Sequence, residues 1–305
     1  MEKSLKDRLF DLIPPAMIAI ILGFWAYGPR ALVDHPWTLA VTSPLIVIVI
    51  LLLEAVHERH SGWRMNKQEF ATDLYYSVLS ATVIAWLTQT LAEEPLVALK
   101  SSLGLTTQWA AQLPWLAQVM LVIFVIEFGQ YWMHRLMHNW TPFWLTHAPH
   151  HYITQLNINK GAVGNPIELF LIGLGIGGFF DFLPRAFLLA GTLGLTVSIY
   201  QHINVRFNTP GWWRFLFNTT EHHSVHHSQD FEGSRSNYAN TFIFIDRIFG
   251  TCVDGEAELL GMEGGRRMSI REQMTYPFTE AWKTMKEKLS RRPGTASVAD
   301  AVPAE

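Results

Sequence analysis

Apolar runs at roughly 12–33, 39–56, 72–92 and 114–138 alternate with short polar stretches. Each is close to the ~20 residues that cross the hydrocarbon core of a bilayer as a helix. The pattern therefore predicts four spanning helices. A fifth apolar block, about 166–203, is interrupted by Asp181, Pro184 and Arg185. Its halves, roughly 15 and 18 residues, predict a tight helical hairpin that does not cross fully. Asn165 as N-cap and Pro166 at the first helical position would open it. After about 204 the chain turns polar, with aromatic islands. FIFIDRIFGT (242–251) reads equally well as an element lying on the membrane surface and as a core helix. The tail RRPGTASVADAVPAE (291–305) is small, polar and Pro-containing, and predicts disorder.

Two stretches invite other readings. MEKSLKDRLFDLIPPAMIAIILGFWAYG has the basic start and apolar run of a signal peptide. It shows no clear small-x-small cleavage site and a second apolar run follows at once, so a retained membrane helix is expected. GLGIGG (173–178) lies inside an apolar run with no preceding strand. Close helix packing through small residues is expected there rather than a dinucleotide loop.

Charge sets the orientation. Lys3, Lys6 and Arg8 precede the first run, and Arg59, Arg64 and Lys67 separate the second from the third. The other two loops carry only Arg30 and Lys100. Lys/Arg-rich loops stay inside, so the N-terminus and the 57–70 loop are expected in the cytoplasm, and residue 139 with them. A hairpin at 166–203 returns the chain to the same side. Short loops weakly favour a bacterial inner membrane. Hydrophobic residues make up 49% and charged residues 16%, below the roughly 25% of a soluble domain. The net charge of −3 argues against a nucleic-acid partner. The single cysteine, Cys252, excludes an intrachain disulfide and a thiolate metal cluster.

The candidate chemistry is imidazole. Of 13 histidines, all but His35, His57 and His60 fall between 134 and 227. HRLMH (134–138) holds His134 and His138. HAPHH (147–151) holds His147, His150 and His151. EHHSVHH (221–227) holds His222, His223, His226 and His227, and His202 stands alone. Offsets of three and four fall on one helix face, so each cluster is expected to aim a row of imidazoles at a common point. Imidazole suits iron, zinc, copper and nickel. Eight to ten ligands exceed the needs of one ion, and two metals with four or five nitrogens each is the natural division. His222, beside His223, points about 100° away on a helix and suits a place behind the ligands, while His202 reads equally well as a ligand and as a core residue. Glu127, two helical turns before His134, and Asp73, near the start of the third run, are candidates for orienting an imidazole from behind. Asp246 and Arg247 suggest a structural ion pair or interfacial contacts.

The three boxes with QHINV (201–205) and SNYANTFIFIDRIFGT (236–251) resemble the membrane-bound fatty acid hydroxylase/sterol desaturase superfamily, with its HxxxH, HxxHH and final HxxHH boxes. The resemblance covers roughly 70–251. It implies a non-haem di-iron centre, with zinc as a substitute in purified protein, dioxygen as oxidant and a lipid substrate. It implies that His134, His138, His147, His150, His151, His223, His226 and His227 are ligands, with His202 and His222 at positions that are often histidine too. After the second box this chain reads NKGAVGNPIEL (159–169) where many members carry Arg-x-His-Pro. The resemblance thus does not select among fatty acyl chains, sterols, carotenoids and ether lipids, nor between hydroxylation and desaturation. No flavin, nicotinamide or haem motif is present, so electrons are expected from a ferredoxin or a cytochrome of the b5 type.

The expected molecule is all-α: an integral membrane bundle of about four spanning helices and a short helical hairpin, under a cytoplasmic histidine-rich helical cap. Residues 1–65 would be N-terminal membrane helices, 66–254 the oxygenase domain and 255–305 a partly disordered extension. Two rivals remain. A divalent-metal transporter would place ligands near the midplane. A zinc-dependent membrane hydrolase would need a general base such as the Glu of HExxH, which is absent.

Overall fold

The computed structural model describes residues 4–35, 37–174 and 179–290. Among these the chain is helical, with no strand beyond two isolated bridges. Four helices are long and apolar enough to cross a membrane: α1 (Leu5–Tyr27), α2 (Thr38–Val56), α3 (Lys67–Ser102) and α4 (Trp115–Asn139). The protein is a multi-pass membrane protein. Large apolar side chains such as Val41, Leu45, Leu52, Trp86, Leu91 and Phe124 face outward on these helices, as a lipid-facing surface requires.

The third apolar run is longer than its pattern implied. α3 extends over 36 residues, because its polar ends Lys67–Thr72 and Glu93–Ser102 continue the helix. It widens into π-helical turns at Ser80–Ile84 and Gln89–Glu93. The fifth block forms unequal arms. α5 (Thr141–His151) follows α4 directly, and α6 (Pro166–Gly173) and α7 (Pro184–Ile199) come next, each packed on α4 rather than on one another as the expected tight hairpin requires. α6 has 8 residues, half the predicted arm. Its start is as expected: Asn165 Oδ1 accepts from the amide of Ile167 at 3.0 Å, and Glu168 Oε2 accepts from the amide of Asn165 at 3.2 Å, a reciprocal cap. Of the glycine-rich stretch, residues 175–178 lie outside the described residues, as does the tail 291–305. At Gly173 a Cβ would stand 3.3 Å from Thr88 Oγ1, so the helices approach closely there.

One apolar core joins the bundle. Trp25 of α1, Ile50 of α2, Val122 of α4 and Leu189 of α7 are buried in it together. The cap is built from α5, α8 (Gly211–Leu216), α9 (Thr220–His226), α10 (Phe244–Phe249) and α11 (Ile270–Ser290). The loop after α2 ties down α9: Arg59 meets Glu221 at 3.1 Å and Glu256 at 2.5 Å. α10 answers both readings of its stretch. Ile245 and Asp246 are buried, while Ile248 is exposed and Phe249 packs on Phe128 and Trp132 of α4. Asp246 and Arg247 do not pair with each other. Adjacent residues on a helix diverge by about 100°. The Asp246 carboxylate turns inward to the amides of Tyr238 and Ala239, and Arg247 turns outward to Asp254 at 3.0 Å.

Candidate metal centre

α4 ends at Asn139. Trp140 adopts an extended conformation, and Pro142 starts α5. This sharp reversal folds α5 against the last turns of α4. His134 and His138 thereby face His147 and His151, and α9 brings His226 into the same space. One nitrogen from each of these five lies within 4.8 Å of the others. His150, His202, His223 and His227 form a second group by the same measure. All nine rings are buried. The two groups adjoin, with the His151 and His227 rings stacked 4.6 Å apart.

Each HxxHH triplet divides, instead of aiming at one point. On a helix the first and fifth positions differ by about 40°, while the fourth lies about 100° from the fifth. α5 accordingly sends His147 and His151 to the first group and His150 to the second. α9 sends His223 and His227 to the second and His226 to the first. His222 joins neither. It faces away from its neighbours, with Nε2 3.0 Å from Asp254 Oδ1 and Nδ1 3.2 Å from Thr219 Oγ1. His202 belongs to the second group, its Nε2 2.9 Å from that of His223.

Backbone and carboxylate oxygens fix the rings from behind. Nδ1 of His134 donates to Tyr238 O, Nδ1 of His150 to Val163 O and Nδ1 of His226 to Ser236 O, each at 2.7 Å. Nδ1 of His147 donates to Glu168 Oε1 at 2.6 Å. A neutral imidazole carries one N–H, so Nε2 of each of these four rings is a bare lone pair. Nε2 of His134 and of His147 nevertheless stand 3.0 Å apart, and Nε2 of His226 has no hydrogen-bond partner. Two lone pairs at that distance repel unless a cation lies between them. Nitrogens bound at about 2.1 Å at right angles around one ion would be about 3.0 Å apart. Burial also pushes the cap histidines toward the neutral, ligating form. His150 is lowered to about 4, and His147, His151, His202, His223, His226 and His227 are held well below their ordinary value, chiefly by desolvation. The residues present fit two metal ions.

Neither predicted carboxylate touches an imidazole. Glu127 accepts from the amide of Thr241 at 2.7 Å and from its hydroxyl. Asp73 is paired with Lys160 at 2.7 Å and accepts from Asn157 at 3.2 Å. Both hold loops whose carbonyls hold histidines: 236–241 for His134 and His226, 157–163 for His150. The sequence pointed to the right elements, but Glu127 is taken up by the Thr241 amide and hydroxyl, and Asp73 by Lys160 and the Asn157 side chain. Glu168 was missed. Its only signal was its place three residues after the Asn165 cap, where a glutamate closes a capping box.

A cavity of about 1130 Å³ ends on both groups. Ile48 and Leu51 of α2, Leu74, Ala81 and Ile84 of α3, and Leu169 and Ile172 of α6 line its apolar length, and His134, His147, His150, His202 and His223 its end.

The fatty acid hydroxylase family profile matches residues 119–251, which contain every histidine of both groups. An ornithine lipid hydroxylase of Rhizobium tropici is 27% identical, covering 81% of this chain and 77% of that protein. The human alkylglycerol monooxygenase is 28% identical over 41% of this chain and 28% of its own length. A methylsterol monooxygenase-like protein of Dictyostelium discoideum is 31% identical over 46% of this chain and 52% of its own. No solved structure matches. The histidine boxes, the membrane bundle beneath them and these relatives agree: residues 119–251 form a fatty acid hydroxylase domain, and the chain resembles membrane lipid hydroxylases and monooxygenases.

Proposed function

We propose that His134, His138, His147, His151 and His226 hold one iron ion, that His150, His202, His223 and His227 hold a second, and that the protein uses them with dioxygen to hydroxylate or desaturate a membrane lipid. The carrying observation is the cavity: an apolar passage between membrane helices that ends on both groups. Its volume exceeds the roughly 300–1,000 Å³ of an ordinary small-molecule site, as a long alkyl chain needs. The match to an ornithine lipid hydroxylase extends over most of the chain and favours an acyl lipid over a sterol. The oxygenase domain is 66–254, with 1–65 as membrane support and 255–305 as an extension.

Iron held here would supply dioxygen activation and the oxidising power for an unactivated C–H bond. The chain supplies the rest. Glu168 and the carbonyls of Val163, Ser236 and Tyr238 orient the rings. Desolvation keeps the cap imidazoles neutral, so their lone pairs stay available. The walls of α2, α3 and α6 grip the alkyl chain and exclude water from the reacting carbon. Two electrons come from outside, from a ferredoxin or a b5-type cytochrome on the cap. Lys3, Lys6, Arg8, Arg59, Arg64 and Lys67 favour a cytoplasmic cap, and the Rhizobium relative favours a bacterial inner membrane. Histidines at the end of α4, rather than at midplane, count against a transporter.

The test is metal content with labelled oxygen. Purified protein should hold two irons, and its lipid product should gain mass from ¹⁸O₂ if it is an alcohol. His150→Ala and His226→Ala should accumulate in the membrane without oxidising lipid. Full turnover by either variant with unchanged metal would remove those residues from the site.

A further inference from the structure

α11 divides into two halves with different surroundings. Its first half is rooted in the molecule. Ser269 and Glu272 cap it, the Ser269 amide donating to Glu272 Oε2 at 2.8 Å. Tyr76 of α3 donates its hydroxyl to Gln273 Oε1 at 2.7 Å. Pro277 has no N–H for the carbonyl of Gln273, four residues earlier, and Asn165 Nδ2 donates to that carbonyl at 2.8 Å instead. Beyond Pro277 the helix leaves the molecule. Every residue from 281 to 290 is exposed.

That free half is strongly patterned. Phe278, Trp282, Met285 and Leu289 are exposed by 64, 55, 44 and 56%. At 100° per residue they fall within about 60° of one another, a narrow apolar stripe. Lys286 and Lys288 lie about 80° to either side of Phe278, and Glu280 and Glu287 lie on the opposite face, where Lys283 pairs with Glu280 at 3.5 Å. Lys286 Nζ sits 5.1 Å over the Trp282 ring. Helical stretches shorter than about 15 residues are marginal in water without packing, and the 13 residues 278–290 have none on the molecule, so this half needs a surface to hold it.

We propose that residues 278–290 lie in the headgroup layer of the bilayer that holds α1–α4, apolar stripe down, with Lys286 and Lys288 on anionic headgroups. Lysines flanking an aromatic stripe with glutamates behind are the pattern of an interfacial helix. The charges complement an anionic lipid surface. The root of the helix is bonded to Tyr76 on a spanning helix, which sets the free half beside the lipid belt. The interfacial half thus anchors the cap from outside, through α5, which packs against α11 and carries three of the site histidines.

The test places a nitroxide at single cysteines in full-length C252S protein in lipid nanodiscs. In discs containing phosphatidylglycerol, the M285C label should be reached by oxygen and shielded from the neutral aqueous relaxant NiEDDA, with the E287C label showing the reverse and the ratio of accessibilities differing severalfold. K286E/K288E should shrink that difference in these discs and change little in pure phosphatidylcholine. Equal NiEDDA access at 285 and 287 overturns the proposal. Dipolar broadening between labelled copies overturns it in favour of a second chain on the stripe. Shielding that persists in amphipol without lipid overturns it in favour of a segment of the same chain. No effect of K286E/K288E removes the anionic headgroups from it.

Discussion

At the scale of the residue, the site depends on groups that hold the imidazoles from behind. Glu168 fixes His147 from behind at 2.6 Å. Asn237 does more, from a backbone at φ 52°, a left-handed conformation in which asparagine is enriched. Its side chain donates to His222 O at 2.7 Å and to Val253 O at 2.9 Å, and accepts from the amide of Val253 at 2.9 Å. The carbonyls on either side, Ser236 and Tyr238, hold His226 and His134. Removing a partner behind a metal-bound histidine usually costs about 10–100-fold in metal affinity or activity. Glu168→Ala should therefore weaken retention of one of two metals by that range in a chelator titration, while the other metal stays. Asn237→Ala should lose about 3 kcal/mol of stability from buried bonds and a strained φ. Asn237→Gly should recover the part due to φ, and thermal unfolding of the two variants separates the contributions. None of this was legible from residue type. The ten clustered histidines were, because imidazole has few other reasons to recur at helical spacing. Glu127 and Asp73 announced themselves as acids near apolar runs, but Glu127 binds the Thr241 amide and Asp73 binds Lys160, and only the fold shows which partners stand next to them.

At the scale of the element, the helix period decides how ligands are shared. Each triplet contributes its i,i+4 pair to one group and its remaining histidine to the other, so α5 and α9 serve both groups in opposite proportion. Spacing predicted the rows and missed the exchange, because a row seen on one helix has no second helix to cross. The spanning helices were legible from apolar length alone. The extension of α3 and the shortening of α6 were not, since the ends of both helices are set by packing. His202 offers an element-level test. A Cβ at Gly161 would lie 3.2 Å from the His202 ring, which Gly161 on the 157–163 loop packs against. Gly161→Ala should displace that ring by a few tenths of an ångström and lower metal occupancy and turnover severalfold. Gly62→Ala, with nothing within 4 Å, serves as the control. The cavity wall offers another. Ala81 lines the passage within a π-helical turn, and such turns frequently mark functional sites. Ala81→Trp should fill the passage and shift products toward shorter chains, read by mass spectrometry of the lipid pool, with metal content unchanged.

At the scale of the whole molecule, nine imidazoles are taken out of water between a membrane bundle and a cap, and that gives stability a pH dependence. A neutral histidine in the folded state binds no proton, whereas the unfolded chain binds one below its ordinary value of about 6.5. Stability rises with pH wherever the unfolded state holds more protons. His150, held at about 4, therefore costs nothing above about 6.5 and destabilises progressively as pH falls to about 4, by on the order of 3 kcal/mol once fully developed. The other cap histidines shift in the same direction for the same reason, desolvation. Bound metal adds to this, since protons compete for the same nitrogens. Chelated protein in detergent should show a thermal midpoint that is flat from pH 8 to about 6.5 and falls steeply toward pH 4. Metal-loaded protein should melt higher at neutral pH by binding linkage, and lose that advantage over the same acidic window. His150→Gln should flatten the chelated curve in proportion to one histidine. A midpoint independent of pH across that window in the chelated protein would mean that the imidazoles are solvated in the folded state, against their burial between α4, α5, α7 and α9.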